Sequence, residues 1–444
     1  MLTKWLLKFR FAGLWTVPFA FGPLPASRSL VGEGVWVILA QGLTAIGALA
    51  SIKVATTVLG PENYGRFAAA VAVAAIIQIC LFGSISQAAA RFLFLAINAG
   101  NWTSYVRSLV RLVSGASAII VLLCGLSYLL PFDIGSTTPV WLLMLFPIVA
   151  GCQQVLTTAL NAGRLRKAVA LAQGVETIVR PMMMLGASFA FVAEISAVLA
   201  AYIASSLLVL AVLWAVFVRF RKEILEGKPA TPSVVGADLF GQMIAYVLPF
   251  VVFGVVGAVG SHGERFLLAA WLPWEQVGVY ALLSQLALAP TVLLMNLVNQ
   301  FYLPVVFQHD PHGKKVLAGT ARGYFIVSAV GTAVLATAIV VAGPDLVRLA
   351  STRAFLGYEY LLVPLVISAA LFGMAQQLWL PGLRALRTVI YIVPKTVHTV
   401  SLLTAAVLLV PAFGLTGMAI ASLIAASLYA LSVIVANRLV ENAA

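Results

Sequence analysis

The chain has 444 residues, 62% of them hydrophobic and only 9% charged, and carries a formal net charge of +13. Too little polar surface is available for a soluble globule, so hydrocarbon must solvate most of the exterior. A disulfide scaffold is excluded as well: Cys80, Cys124 and Cys152 each sit in an apolar stretch without paired spacing and read as small buried hydrophobes.

Residues 1–32 open the chain with Lys4, Lys8 and Arg10 interleaved among Trp5, Leu6, Leu7, Phe9 and Phe11. No compact apolar core with a clean small-residue cleavage site follows, so the segment reads as an interfacial amphipathic helix and not as a signal peptide. Twelve long apolar stretches come next, near 35–58, 66–84, 108–130, 138–160, 168–192, 195–218, 241–270, 276–300, 322–343, 358–380, 388–410 and 415–437. All but the seventh match the ~17–25 residues that a membrane-crossing helix needs, and the seventh is long enough to be tilted or to extend beyond the bilayer. Their apolar residues run continuously, without the alternation of a membrane strand, so the expected fold is all-α with about twelve transmembrane helices. Most of the 27 basic residues fall in the N-terminal segment and every second connection, which places both termini on the cytoplasmic side. The positive net charge thus reports topology and gives no support to a nucleic-acid partner.

Residues 219–240, RFRKEILEGKPATPSVVGADLF, concentrate charge, Pro and Gly and read as a linker between an N-lobe at 33–218 and a C-lobe at 241–444. The halves repeat one another. LGPENYGRFA (59–68) and LPWEQVGVYA (272–281) align Glu62 with Glu275, Gly65 with Gly278 and Ala68 with Ala281, always 213 positions apart. Each copy turns the chain between the first and second spans of its half. Six spans per half give both copies the same orientation, related by an axis along the membrane normal. The expected architecture is two six-helix lobes around a central cavity.

Charges inside the spans are the candidates for function, since each costs ~2.5–3.5 kcal/mol at mid-bilayer unless it meets a partner or water. Lys53 lies in the first span, and either faces the cavity or snorkels to the outer interface. Glu176 and Arg180 stand one turn apart in the fifth, as a structural pair or as part of a site. Glu264 and Arg265 close the seventh, with pairing between them as one reading. Lys395 follows Pro394 in the eleventh, either in the cavity or in the cytoplasmic positive belt, whereas Arg384 and Arg387 read as topology-setting. Gln41, Gln78, Gln87, Asn296, Gln300, Gln376 and Gln377 add polar groups, as cavity lining or as helix–helix glue. His309 and His312 sit in a solvated QHDPHG loop and do not read as metal ligands. Asn101-Trp102-Thr103 matches a glycosylation acceptor but falls on the cytoplasmic side. With no phosphate-cradling loop and no nucleophile elbow, neither an enzyme nor a bound cofactor or metal is expected.

The turn LGPENYG, the FGSISQAAARFL that ends the second span, NAGRLRKAVALAQGVETIVRP (161–181), GERFLLAAWLPWEQVGVYALLSQLA (263–287) and LRALRTVIYIVPK (383–395) together resemble the polysaccharide transporter family. Its members are lipid-linked oligosaccharide flippases, in the superfamily that also holds multidrug and toxin exporters and the peptidoglycan-precursor flippase. The chain departs from the pattern at Thr57, where the family often has Arg, and at Leu81-Phe82, where an acidic residue commonly precedes the glycine. What the resemblance implies is transfer of an undecaprenyl-diphosphate-linked oligosaccharide (an O-antigen or exopolysaccharide repeat unit) between the leaflets of a bacterial plasma membrane. On that expectation Lys53, Arg180, Arg265 and Lys395 bind the substrate, and Glu176 and Glu264 reset the cavity by pairing with them. Partners would be the lipid-linked substrate, membrane lipids and other glycan-assembly proteins. The alternative is a cation-coupled multidrug-type antiporter of the same fold, for which a dominantly acidic cavity is expected.

Overall fold

The computed structural model describes residues 30–127, 139–163, 165–190, 195–227, 238–308, 314–379 and 388–441. Residues 1–29 of the amphipathic segment, residues 228–237 of the linker, His309, His312, Arg384 and Arg387 lie outside them. Among the described residues there is no strand. The helices are α1 (Leu30–Gln78), α2 (Ser84–Asn98), α3 (Trp102–Ser127), α4 (Val140–Ala162), α5 (Arg166–Ala190) and α6 (Ile195–Gly227), then α7 (Leu239–His262), α8 (Glu264–Trp271), α9 (Trp274–Gln308), α10 (Lys314–Val341), α11 (Gly343–Ala350), α12 (Leu362–Gln377) and α13 (Ile392–Glu441).

Ten apolar runs among these are long enough to cross a membrane. The first, Gln41–Ile97, has 57 residues, about 85 Å as one helix, nearly three times the ~30 Å hydrocarbon thickness. It is broken at Gly60, whose φ of 68° is open to glycine but costly for a residue with a Cβ. Pro61 starts the next helix, where its missing N–H is no loss. The 48-residue run Ile392–Leu439 is broken in the same way at Gly414. Counted as two crossings each, these runs bring the total to twelve, and both breaks fall between predicted stretches. A π-helical turn, Ile79–Gly83, widens the second span and joins α1 to α2. The sixth span continues as helix to Gly227, into the segment read as linker.

Apolar side chains cover the exterior: Phe189 is 89% exposed, Val341 78% and Leu122 71%. In lipid such chains give no hydrophobic drive to helix association, so close packing of small residues holds the bundle. Within the first half α1 packs on α5 and α4 on α6; within the second α9 packs on α12 and α12 on α13. Two seams join the halves. Along one, α7 lies against the π turn, α2 and α3, with Gly254 on the Cys80 backbone and Tyr246 edge-on to Phe92 at 5.8 Å. Along the other, α1 meets α9.

The α1–α9 seam shows the repeat directly. A Cβ on Gly65 would strike the Trp274 carbonyl, and a Cβ on Gly278 would strike the Pro61 carbonyl. Positions 61 and 274, like 65 and 278, are equivalents in the sequence repeat, so the contact is reciprocal. A local twofold axis passes between the two turns, which lie at one end of the molecule, here termed the Gly60 end. A buried apolar cluster there spans both halves, from Ile52, Tyr64 and Phe67 to Val277, Leu283 and Phe355.

Candidate functional site

The charges foreseen in the sequence are all within or beside the spans, but they do not converge on one site. Glu176 and Arg180 form an ion pair on α5 inside the first half. Glu176 is buried and also accepts from Gln153 Nε2 at 2.5 Å and Ser206 Oγ at 3.3 Å. The Arg180 guanidinium lies 4.6 Å from the Tyr202 ring centroid, and its Nε is 3.4 Å from Ser205 Oγ. Next to Gln153 on α4, Gln154 accepts from Gln78 Nε2 at 3.1 Å, beside the π turn. The result is a polar thread through the first half, built from α1, α4, α5 and α6. A π bulge next to such a thread is a frequent mark of a functional position.

Lys395 lies inside the second half. It is 9% exposed, its stem rests on Gly257, and Nζ sits over Phe372 at 4.6 Å and near the Tyr429 ring at 5.8 Å. Among the described residues no carboxylate forms a salt bridge with it, so aromatic faces supply the attraction that a counter-ion otherwise would. One turn on, buried His398 stands between Phe372 (4.8 Å) and Tyr429 (5.5 Å).

No salt bridge joins Glu264 to Arg265, the pairing that was one of the two readings. Adjacent residues on a helix point in different directions, so the two side chains part. Glu264 turns into the second half and accepts from Tyr280 Oη at 2.9 Å, with Ser422 Oγ 3.1 Å beyond. A cavity of about 90 Å³ opens there, lined by Glu264, Tyr280, Ser284, Ser368, His398 and Ser422 among others. Arg265 reaches across the seam, its Nη1 3.4 Å from the Ala68 carbonyl. Lys53 crosses in the opposite sense, Nζ donating to Ser351 O at 2.5 Å and Arg348 O at 3.4 Å.

Among α1, α9 and α10 lies a groove of about 320 Å³. Its lining, including Ile52, Leu286, Pro290 and Ile339, is apolar apart from Gln285. None of the predicted bases lines it. Of the predicted polar groups, Gln87, Asn296 and Gln376 are exposed, whereas Gln377 is buried with its Oε1 unpartnered among the described residues. His398, Gln153 and Tyr280 were not foreseen. The signal for the first was its place three residues after Lys395; for the second, the paired amides of GCQQVL in a fourth span otherwise apolar.

The sequence profile of the polysaccharide biosynthesis protein family matches residues 30–309, well over half of the chain. The chain belongs to that family. No curated protein matches it. Among solved structures, this family member is similar to lipid II flippase MurJ in an inward closed conformation, at 15% identity and a TM-score of 0.67, over 91% of this chain and 87% of that one. It is similar also to an outward-facing multidrug resistance MATE family transporter of the MOP superfamily (14%, TM-score 0.60, 92% and 94%). A MOP superfamily transporter from Pyrococcus furiosus, whose binding pocket is described as of reverse polarity, matches at 14% and 0.55 over 93% and 96%. At such identities the likeness concerns the fold, and that fold is the one shared by transporters of the MOP superfamily. The protein is therefore a multi-pass membrane protein with a transporter fold.

Proposed function

We propose that the protein is a flippase that carries an undecaprenyl-diphosphate-linked oligosaccharide, such as an O-antigen or exopolysaccharide repeat unit, from the cytoplasmic to the outer leaflet of a bacterial plasma membrane. Both termini are then cytoplasmic, the Gly60 end faces outward, and other glycan-assembly proteins supply and consume the substrate. Family membership and a fold like that of a lipid II flippase support the reading. The observation that carries it is the charge balance within the membrane: four bases (Lys53, Arg180, Arg265, Lys395) against two acids (Glu176, Glu264), with Lys395 deep in the second half and matched by no carboxylate among the described residues. A drug-cation antiporter calls for the opposite sign.

A glycan needs such a path because each hydroxyl is costly to bring through hydrocarbon unsatisfied. In alternating access the two halves rock about their seams, so that the head group meets a wet, basic interior while the polyprenyl tail stays in lipid. Arg180 and Lys395 draw the diphosphate, joined by Lys53 and Arg265 once these leave the carbonyls they hold at the Gly60 end. Glu176, already paired with Arg180, restores neutrality when the anion departs, and Glu264 does so in the second half. The test is flipping of a lipid-linked oligosaccharide by the purified protein in vesicles. Arg180→Gln and Lys395→Met are each expected to slow it at least tenfold, and unchanged rates in both would remove the assignment.

A further inference from the structure

At the Gly60 end, the first half completes a helix that belongs to the second. Helix α11, Gly343–Ala350, is two turns long and is followed by extended Ser351 at φ −146°, with no left-handed cap. The last four carbonyls of a helix lack intrahelical donors and carry the negative end of its dipole. Ser351 Oγ answers one of them, Val347 O, at 2.6 Å. Two of those that follow are answered across the seam, Arg348 O by Lys53 Nζ at 3.4 Å and Ala350 O by Thr56 Oγ1 at 3.0 Å, and Lys53 Nζ also donates to the carbonyl of the cap residue Ser351. Thr56 and Ala350 are 0% and 1% exposed, so water does not replace the bond between them while the seam is shut, whereas the Lys53 bond to Arg348 O lies at the surface.

One other charged contact crosses at this end, from Arg265 Nη1 to the Ala68 carbonyl at 3.4 Å, and the rest are of a different kind. Gly65 and Gly278 meet backbone to backbone, and Tyr64 meets Phe355 edge-on at 5.8 Å. Those contacts are apolar or steric and carry no net charge. An ammonium at a helix C-terminus is charge-assisted, and it is lost as soon as the halves part by more than a hydrogen-bond length.

We propose that Lys53, helped by Thr56, is a latch that caps α11 across the seam and sets how much of the time the Gly60 end is closed. Its part in transport rests on the alternating-access reading above, in which this is the end that opens to release substrate; its geometry does not. On that reading one ammonium cannot hold the α11 carbonyls and an incoming diphosphate with the same protons, so anion arrival and unlatching are linked events.

The test is a distance measurement on purified full-length protein, independent of transport. Spin labels go on Glu62→Cys and Asp345→Cys, exposed positions on the two sides of the seam, with Cys80, Cys124 and Cys152 replaced by alanine. Lys53→Met is expected to raise the long-distance population about fivefold, the effect of roughly 1 kcal/mol. Thr56→Val, which keeps the charge, should raise it about twofold. Lys53→Arg should stay near the unsubstituted protein, and so should Ser351→Ala, because the latch uses the backbone carbonyl at 351. Distributions unchanged in both Lys53→Met and Thr56→Val overturn the latch, and Thr56→Val decides alone if Lys53→Met does not fold. Expected distances together with no flipping by the unsubstituted protein would instead remove the function reading and leave the latch standing.

Discussion

A basic side chain in a membrane helix has to find an answer within a few ångströms, and this chain uses three different ones. Arg180 has a carboxylate one turn away, Lys395 has aromatic faces, and Lys53 and Arg265 have backbone carbonyls across a seam. The Glu176–Arg180 pair yields a direct prediction. Removing one partner of a buried pair strands the other, at about 3–5 kcal/mol when both are enclosed. The Arg180 side chain keeps 24% exposure, which lowers the figure. Glu176→Ala should therefore cost about 2 kcal/mol in thermal unfolding of the detergent-solubilised protein, and Glu176→Leu with Arg180→Met should regain most of it. A double variant no more stable than Glu176→Ala would show that the pair is not what the site needs.

At the scale of elements, two glycine devices shape the Gly60 end. Gly60 allows the break between crossings, and Gly60→Ala should cost about 1–3 kcal/mol of stability from backbone strain, since open space surrounds the position. Gly65 and Gly278 let two turns touch through backbone. Since the clashing atoms are carbonyls and not movable side chains, Gly65→Ala and Gly278→Ala should each cost about 1–3 kcal/mol. Both push the same pair of turns apart, so the double variant should cost less than the sum, a coupling that a double-mutant cycle by thermal unfolding would read. Strict additivity would mean that the two contacts yield independently. Helix α11 behaves differently from the spans: it is too short to cross, and its free carbonyls make it a place where one half holds the other.

For the whole molecule the governing quantities are two-fold relatedness and the sign of the intramembrane charge. Moving an anion out of a negative interior is favoured by ~2.3 kcal/mol per charge per 100 mV. Vesicles with an interior-negative potential should therefore show initial outward flipping several times faster than de-energised ones, and an interior-positive potential should slow it. A rate indifferent to potential in both directions would argue that the translocated species carries no net charge.

How much of this could be read from the residues follows from what each feature depends on. Crossing number, helical class and the positions of both chain breaks are set by local quantities, namely the length of an apolar run and a glycine or proline at its end, and so they are legible in sequence. The repeat was legible too, because both copies of the turn carry a glycine, Gly65 and Gly278, where the reciprocal contact leaves no room for a Cβ. Which residues carry charge into the membrane was equally plain. Where each charge points was not. Glu264 and Arg265 are neighbours in sequence, yet one faces a cavity in its own half and the other the opposing half, since direction around a helix depends on what packs against it. Lys53 finds its carbonyls about 300 residues away, and Lys395 finds Phe372 on α12 and Tyr429 beyond the Gly414 break of its own helix. Partners of that kind are fixed only when helices distant in sequence are brought side by side, because hydrogen bonds and cation–ring contacts act over a few ångströms and leave no periodic trace along the chain.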